Sequence, residues 1–294
     1  MSQFQISDTF VDNIKQWINE QLYANLVAEL GRLFPADIAE LFDKLSTHEC
    51  KYCLDLLLNE KAVEVIAEVD SEKRGSILLL YSPKEIAFRF IENLNSDDAV
   101  DILNELPQQL CEEVINNVSD LEYSIQLVSL LRYDDDTAGG LMAKELIKVN
   151  INWSLAQCTE EIRKQAENVT KVNDIYVVDD QDVLQGKVPL KKLLLERASA
   201  KVSQIYDSEV IYAHVHTRGE EVANMMSKYN LEGLAIVDSL KRLIGLVTID
   251  DVIDFVKEES DKDYQLLSGI SENVESTDKV WVLSRARLPW LIIG

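Results

Sequence analysis

An array of short α-helices followed by a duplicated α/β module is the architecture this 294-residue sequence predicts, on three observations. Up to about residue 130, helix-starting residues recur in steps of about twelve. Further on, VVDDQDVLQGKVPLKKLL (177–194) returns as IVDSLKRLIGLVTIDDVI (236–253) at a constant offset of 59 residues. The third observation is charge: 52 acidic against 29 basic residues give a net charge of -23 and a pI near 4.5. The 47% hydrophobic content is enough for real cores. This balance argues against nucleic acid as a partner, because the Lys and Arg needed to neutralise phosphates are outnumbered everywhere except near the C-terminus. Cations are the natural partners of such a chain.

In chain order, the periodicity first predicts an amphipathic helix over Val11 to Leu30, ended by Gly31. Units then begin near Pro35, Thr47, Glu60, Ser71, Pro83, Ser96, Pro107 and Ser119. PADIAELFDKL, PKEIAFRFIENL and SDDAVDILNEL show the pattern best: a cap or proline, an early acid, then apolar residues at helical spacing. Helices of two or three turns cannot bury a face alone, so stacking into a superhelix is expected. Asp97 and Asp101 stand one turn apart beside Asp98, a paired-carboxylate face. The helix dipole accounts for the two acids nearest the start and less well for Asp101. Cys50 and Cys53 form a CxxC near His48, but no second ligand pair exists, and core thiols in a reducing compartment are the expectation.

At LLRYDDDTAGGLMAKEL the helical array breaks. Asp134, Asp136, Gly139, Leu141 and Glu145 fit the spacing of a calcium loop, but Ala138 replaces a ligand and no matching helix-loop-helix partner is nearby, so a capped linker is expected. Each copy of the duplication reads as helix (Ser154 to Asn168; Thr217 to Tyr229), strand, polar turn, strand and second helix, a β-α-β-β-α unit. His214 and His216 share one strand face and are expected to pack there. No signal peptide and no apolar run of about 18 residues is expected to span a bilayer. A Ser or Cys nucleophile with a base, a P-loop and a dinucleotide glycine motif are all lacking, so no enzyme is expected.

The acidic stretch DDVIDFVKEESDKD (250–263) has seven carboxylates in fourteen residues. On a helix, Asp251, Asp254, Glu258 and Asp261 form one stripe and Glu259 and Asp263 another. Ile249, Val252, Ile253, Phe255 and Val256 make the remaining, core-facing side. A solvated helix face and a carboxylate cluster joined by a divalent cation are both open readings. Near the end, Lys279, Arg285 and Arg287 precede Leu288, Pro289, Trp290, Leu291, Ile292 and Ile293, which reads as a basic flank and the first turn of a membrane helix.

Tyr133, Thr137, Ala138, Gly139, Leu141 and Met142 resemble the joint of the MgtE family of magnesium transporters, and the duplicated module resembles tandem cystathionine-β-synthase (CBS) modules. The resemblance implies a superhelical N domain (1–132), a linker (133–142), CBS modules at 143–202 and 203–260, and a connecting helix (261–294). That last helix would lead to a membrane permeation domain absent from these residues. It also implies a homodimer at the cytoplasmic face of the cell membrane. The function implied is Mg²⁺ sensing that closes the pore, with ligands at Asp97, Asp101, Glu220, Asp251, Asp254, Glu259 and Asp263. Arg218 and Asn230 stand where relatives are expected to carry acids. Thr248 and Asp251 match the ribose-holding pair of nucleotide-binding CBS modules, implying ATP as a second ligand in one copy only, since the first copy has Pro189 and Lys192 there. The competing reading is a stand-alone CBS regulator that senses adenine nucleotide and binds a partner protein.

Overall fold

Short helices that cannot bury a face alone are stacked in the computed structural model, which describes residues 6–166, 169 and 174–267. The chain divides into two units, Met1–Tyr133 and Asp134–Gly294. The basic and apolar tail from Lys279 lies outside the described residues. Among the described residues no helix is long and apolar enough to cross a membrane.

The first unit holds α1 (Asp8–Asn19), α2 (Tyr23–Leu30), α3 (Pro35–Asp43), α4 (Thr47–Leu56), α5 (Asn59–Glu68) and α6 (Ser71–Leu78). It continues with α7 (Pro83–Glu85), α8 (Ser96–Glu105), α9 (Gln108–Asn117) and α10 (Leu121–Leu130). Reciprocal capping starts several of them: Ser46 with Glu49 opens α4, and Ser82 with Glu85 opens α7. From α2 onward most helices pack on the next but one, as in α2 with α4, α4 with α6, α6 with α8 and α8 with α10. The structural repeat is therefore a pair of helices, twice the sequence step.

Two helices depart from the sequence pattern. The expected opening helix over 11–30 is two, because Gln21 adopts a left-handed conformation (φ 55°) after Asn19. Ile14 and Leu26 would lie about 120° apart on one continuous helix, and Ile14 and Leu30 about 160° apart. The break lets all three become fully buried. After its first turn α7 widens into a π-turn (Ile86–Phe90) and then a 3₁₀ turn (Ile91–Asn93). The guanidinium of Arg89, inside that wide turn, donates to Asp55 Oδ1 at 2.6 Å and to the Leu54 carbonyl at 2.5 Å. Cys50 and Cys53 are buried free thiols, and burial pushes both up to about 12.

In the second unit, β1 (Ile147–Asn150), α11 (Leu155–Gln165), β2 (Ile175–Val178), β3 (Leu184–Val188) and α12 (Leu190–Leu195) form one module, followed by the short α13 (Val202–Ile205). The other comprises β4 (Tyr212–His214), α14 (Gly219–Tyr229), β5 (Gly233–Val237), β6 (Leu243–Thr248) and α15 (Ile249–Leu267). Each three-stranded sheet has a parallel pair and an antiparallel pair. The offset of 59 reappears in the geometry. Val177 faces Gly186 and Ile236 faces Gly245, with a register irregularity after each. The turn residues Asp182 and Lys241 both have positive φ, 61° and 63°.

The two modules also bond each other reciprocally. Leu184 N donates to the Lys241 carbonyl (3.0 Å), and Leu243 N donates to the Asp182 carbonyl (2.9 Å). Tyr176, Val178 and Leu184 share a core with their equivalents Ala235, Val237 and Leu243. Each of the buried Val and Leu side chains among them contributes about 1.5–3 kcal/mol. Outside this core, alternation along β4 buries Ala213 and Val215 and turns His214 and His216 outward. Both histidines are exposed, and His214 packs edge-on against Tyr212 of the same strand, with ring centroids 5.8 Å apart; the strand itself ends at His214.

One feature of the shared core is energetically unfavourable. The Tyr176 hydroxyl is buried with no hydrogen-bond partner among the described residues. Tyr176→Phe should therefore raise the thermal midpoint of unfolding, by the equivalent of about 1 kcal/mol. A lowered midpoint in calorimetry would mean that the hydroxyl has a partner.

Candidate functional site

α15 begins without a loop: Thr248 ends β6 and Ile249 starts the helix. Thr248 acts as the cap. Its backbone N–H donates to Asp251 Oδ2 at 3.0 Å, and its hydroxyl lies 2.6 Å from the same oxygen and 2.5 Å from Asp250 Oδ1. The hydroxyl carries one proton, so it serves one of the two carboxylates at a time. Thr248 and Asp251, singled out for a ribose, thus also have a local duty at the helix start. Burial raises the Asp251 pKa; the Thr248 bonds oppose this, and the charges of Asp250 and Asp254 add to it. In the first module Pro189 takes the cap position with no side-chain bond, and Lys192 Nζ donates to the Ile205 carbonyl (3.0 Å).

Along the same helix Asp254 is exposed, and Glu259 is half-buried with an ion pair to Lys262 at 2.9 Å. Asp263 lies on α15, but its side chain is outside the described residues. The sequence placed five apolar residues on a core-facing side, and the structure buries only two. Val252 and Phe255 are 4% and 9% exposed, whereas Ile253 and Val256 are 59% and 45% exposed. Phe255 packs on Gly219, where an added Cβ would meet its ring within 2.5–2.9 Å. Phe255 against Gly219 and the buried Val252 seat α15, which leaves Ile253 and Val256 uncovered.

Glu220 is exposed in the first turn of α14, next to Glu221, where the helix dipole favours both. The two departures from the expected acids have structural duties. Arg218 stands just before α14, without a side-chain capping bond, and pairs with Asp136 at 3.4 Å. Asn230 ends the helix in a left-handed conformation (φ 51°), which asparagine tolerates better than most residues.

Asp97 and Asp101 belong to the first unit, on α8, with Asp97 half-buried and Asp101 exposed. Asp97 Oδ1 accepts from the backbone N–H of Asp98 at 2.9 Å. Beside this face lies a pair that sequence reasoning missed. Arg74 Nε donates to both carboxylate oxygens of Glu105, at 3.1 and 2.9 Å, from mostly buried positions. Burial works against the Arg74 charge, while Glu105, and further out Asp101 and Asp98, hold it up. The two partners are 31 residues apart, so no local pattern signals them. Among the described residues no three His, Cys, Asp or Glu converge on a common metal position. The candidate ligands are thus divided: Asp97 and Asp101 in one unit, Glu220, Asp251, Asp254 and Glu259 in the other.

The Asp251 carboxyl has a testable pH signature. Its folded pKa lies above the ordinary 3.8, so the folded state holds a proton that the unfolded state has released. Its contribution therefore falls as pH rises from the ordinary carboxylate value through the raised folded one. Asp251→Asn keeps an acceptor for Thr248 and should flatten that part of a thermal-midpoint profile. An unchanged slope would place the titration elsewhere.

Comparison with known proteins agrees with this division. Residues 33–136 match the MgtE intracellular N domain, and residues 202–258 match the CBS domain. The magnesium transporter MgtE of Thermus thermophilus is 30% identical over 268 residues, covering 90% of this chain and 59% of the relative. MgtE of Bacillus subtilis is 27% identical over 266 residues, covering 90% and 58%. The chain thus spans a little under three fifths of the length of these transporters. A crystal structure of the cytosolic domain of the Mg²⁺ channel MgtE in complex with ATP superposes with a TM-score of 0.77 at 28% identity, covering 83% of this chain and 99% of that one. The stacked helices of the first unit thus carry the match to the MgtE intracellular N domain, the second module carries the match to the CBS domain, and nine tenths of the chain is similar in sequence to MgtE magnesium transporters.

Proposed function

We propose that the chain is the Mg²⁺-sensing regulatory region of a magnesium transporter, acting on a membrane domain at the cytoplasmic face of the cell membrane. The observation that carries this reading is the state of α15: a half-buried Asp251 with a raised pKa, flanked by Asp250 and Asp254. Two carboxylates brought within about 4 Å at an effective dielectric of 20 repel by about 4 kcal/mol, and a bound cation removes that cost. The donor set suits Mg²⁺. This ion keeps several waters and takes one or two carboxylates, so scattered acids on separate elements fit it better than a closed cage.

In the proposed cycle, low Mg²⁺ leaves the acidic faces of α8 and α15 apart. High Mg²⁺ lets ions be shared between Asp97 or Asp101 and Asp251 or Asp254, with Glu220, Glu259 and Asp263 completing further sites. Ions that prefer the closed arrangement shift the population toward it, and several weak sites sharpen the response. The connecting segment beyond α15 would carry this change to the pore. A second copy of the chain is the proposed partner of the module pair. Leu190 and Leu194 on α12 and Ile249 and Ile253 on α15 repeat at the same offset of 59 and all four are exposed, so one apolar surface is presented twice.

A second reading is favoured by Thr248 and Asp251, whose hydroxyl and carboxylate match the ribose-holding pair: a CBS regulator responding to adenine nucleotide. Calorimetry with Mg²⁺ and with ATP on one sample separates the two. The sensor reading expects millimolar Mg²⁺ to bind and to protect the Tyr133–Asp134 region from limited proteolysis. Asp251→Asn with Asp254→Asn should raise the Mg²⁺ needed for protection roughly five- to thirtyfold, the equivalent of about 1–2 kcal/mol. ATP binding with no millimolar Mg²⁺ response would sink the sensor reading and leave the second.

A further inference from the structure

The joint precedes the first module in sequence but is built into the second. Gly219 N donates to the Asp136 carbonyl at 2.6 Å, Ala138 N to Thr217 at 2.7 Å and Gly139 N to Val215 at 2.8 Å. Ala143 then pairs with Leu246 of β6 through two backbone bonds of 2.8 and 2.9 Å. Side chains reinforce the seating. Thr137, Ala138 and Met142 are buried, and Arg218 pairs with Asp136. Gly245 is what admits the strand: an added Cβ would stand 2.5 Å from Met142 Sδ and 2.9 Å from the Ala143 carbonyl.

The exchange is mutual. Asp207, in the segment leading into the second module, makes the matching pair of bonds (2.8 and 2.9 Å) with Lys187 of β3 in the first. Each module's lead-in is the edge strand of the other. We propose that the joint is mechanically part of the second module, so that the first unit is tethered to the second module and to α15, and a change there reaches Tyr133 without passing through the first module.

The tether is independent of any ligand, and its test uses the whole chain without Mg²⁺ or nucleotide, so its failure is distinct from failure of the sensor reading. Native-state hydrogen exchange is followed at Ala138, Gly139 and Ala143. Ile236→Val thins the core of the second module, and Val177→Ala thins that of the first at the equivalent position. Ile236→Val should speed exchange at the three joint amides roughly threefold to tenfold, in step with Val247. Val177→Ala should speed exchange in β2 and leave the joint amides within about twofold of the parent. Joint amides that follow Val177→Ala, or that follow neither variant, would overturn the proposal. Gly245→Ala adds a milder arm: faster exchange at Ala138 and Gly139 with Leu234 unchanged is expected, and no change at the joint counts against it.

Discussion

A three-stranded sheet with helices on one face leaves its other face and its edges unfinished, and the second unit is organised by the way each module finishes the other. The uncovered faces meet through Tyr176, Val178 and Leu184 against Ala235, Val237 and Leu243. Unpaired edges would cost exposed backbone groups and invite association with other chains. The edges of β3 and β6 are instead closed by the lead-in of the opposite module. Gly186 and Gly245 follow from that closure, since a side chain at either would occupy the space of the crossing backbone. The repeated glycine in the sequence is thus the trace of a strand exchange rather than of a turn.

The first unit meets the same need by stacking. Each helix is too short to stand alone, and packing on the next but one gives most of them a neighbour on which to bury an apolar face. Its one mostly buried ion pair, among the described residues, joins α6 to α8 through Arg74 and Glu105. Such a pair adds little net stability, because desolvation offsets the attraction, but losing one partner leaves a buried charge at a cost of about 3–5 kcal/mol. Glu105 lies one turn beyond Asp101, so the bridge fixes the helix that presents Asp97, Asp98 and Asp101. It also puts a guanidinium near those acids, lowering the local charge density that the sequence suggests.

What the sequence revealed and what it hid divide along a physical line. Helix starts were legible because caps such as Ser46 with Glu49 are local in sequence, and the duplication because Gly186 and Gly245 answer one steric demand. The bend at Gln21 was hidden: it depends on turning Leu26 and Leu30 toward the core that holds Ile14. The wide turn at Ile86–Phe90 goes with Arg89 reaching Asp55, 34 residues away. On α15, hydrophobic spacing marked five core positions, but Phe255 against Gly219 seats the helix with two. The seating of the joint was the least legible feature, since Ala138, Gly139 and Ala143 dock through backbone bonds that no side-chain pattern records. At the candidate site, the residue types and their helices were readable, and the local duties of Asp251 and Glu259 were not.

Those local duties bear on the proposed sensor. Asp251 holds the Thr248 N–H and lies beside its hydroxyl while Asp250 and Asp254 press on it, so its ionised form is favoured by the cap and disfavoured by burial and its neighbours. Glu259 is engaged by Lys262. On the proposed reading, a divalent cation at Asp251 relieves a repulsion that already exists, whereas at Glu259 it must first displace an ammonium. The exposed pair with Lys262 is worth at most about 1 kcal/mol, a small barrier that salt lowers further. The two ends of α15 would then fill in order, the Asp251 end before the Glu259 end. Asp135, at the start of the joint, helps hold the charge of Lys262, so the end of α15 that fills last is the one beside the tether to the first unit.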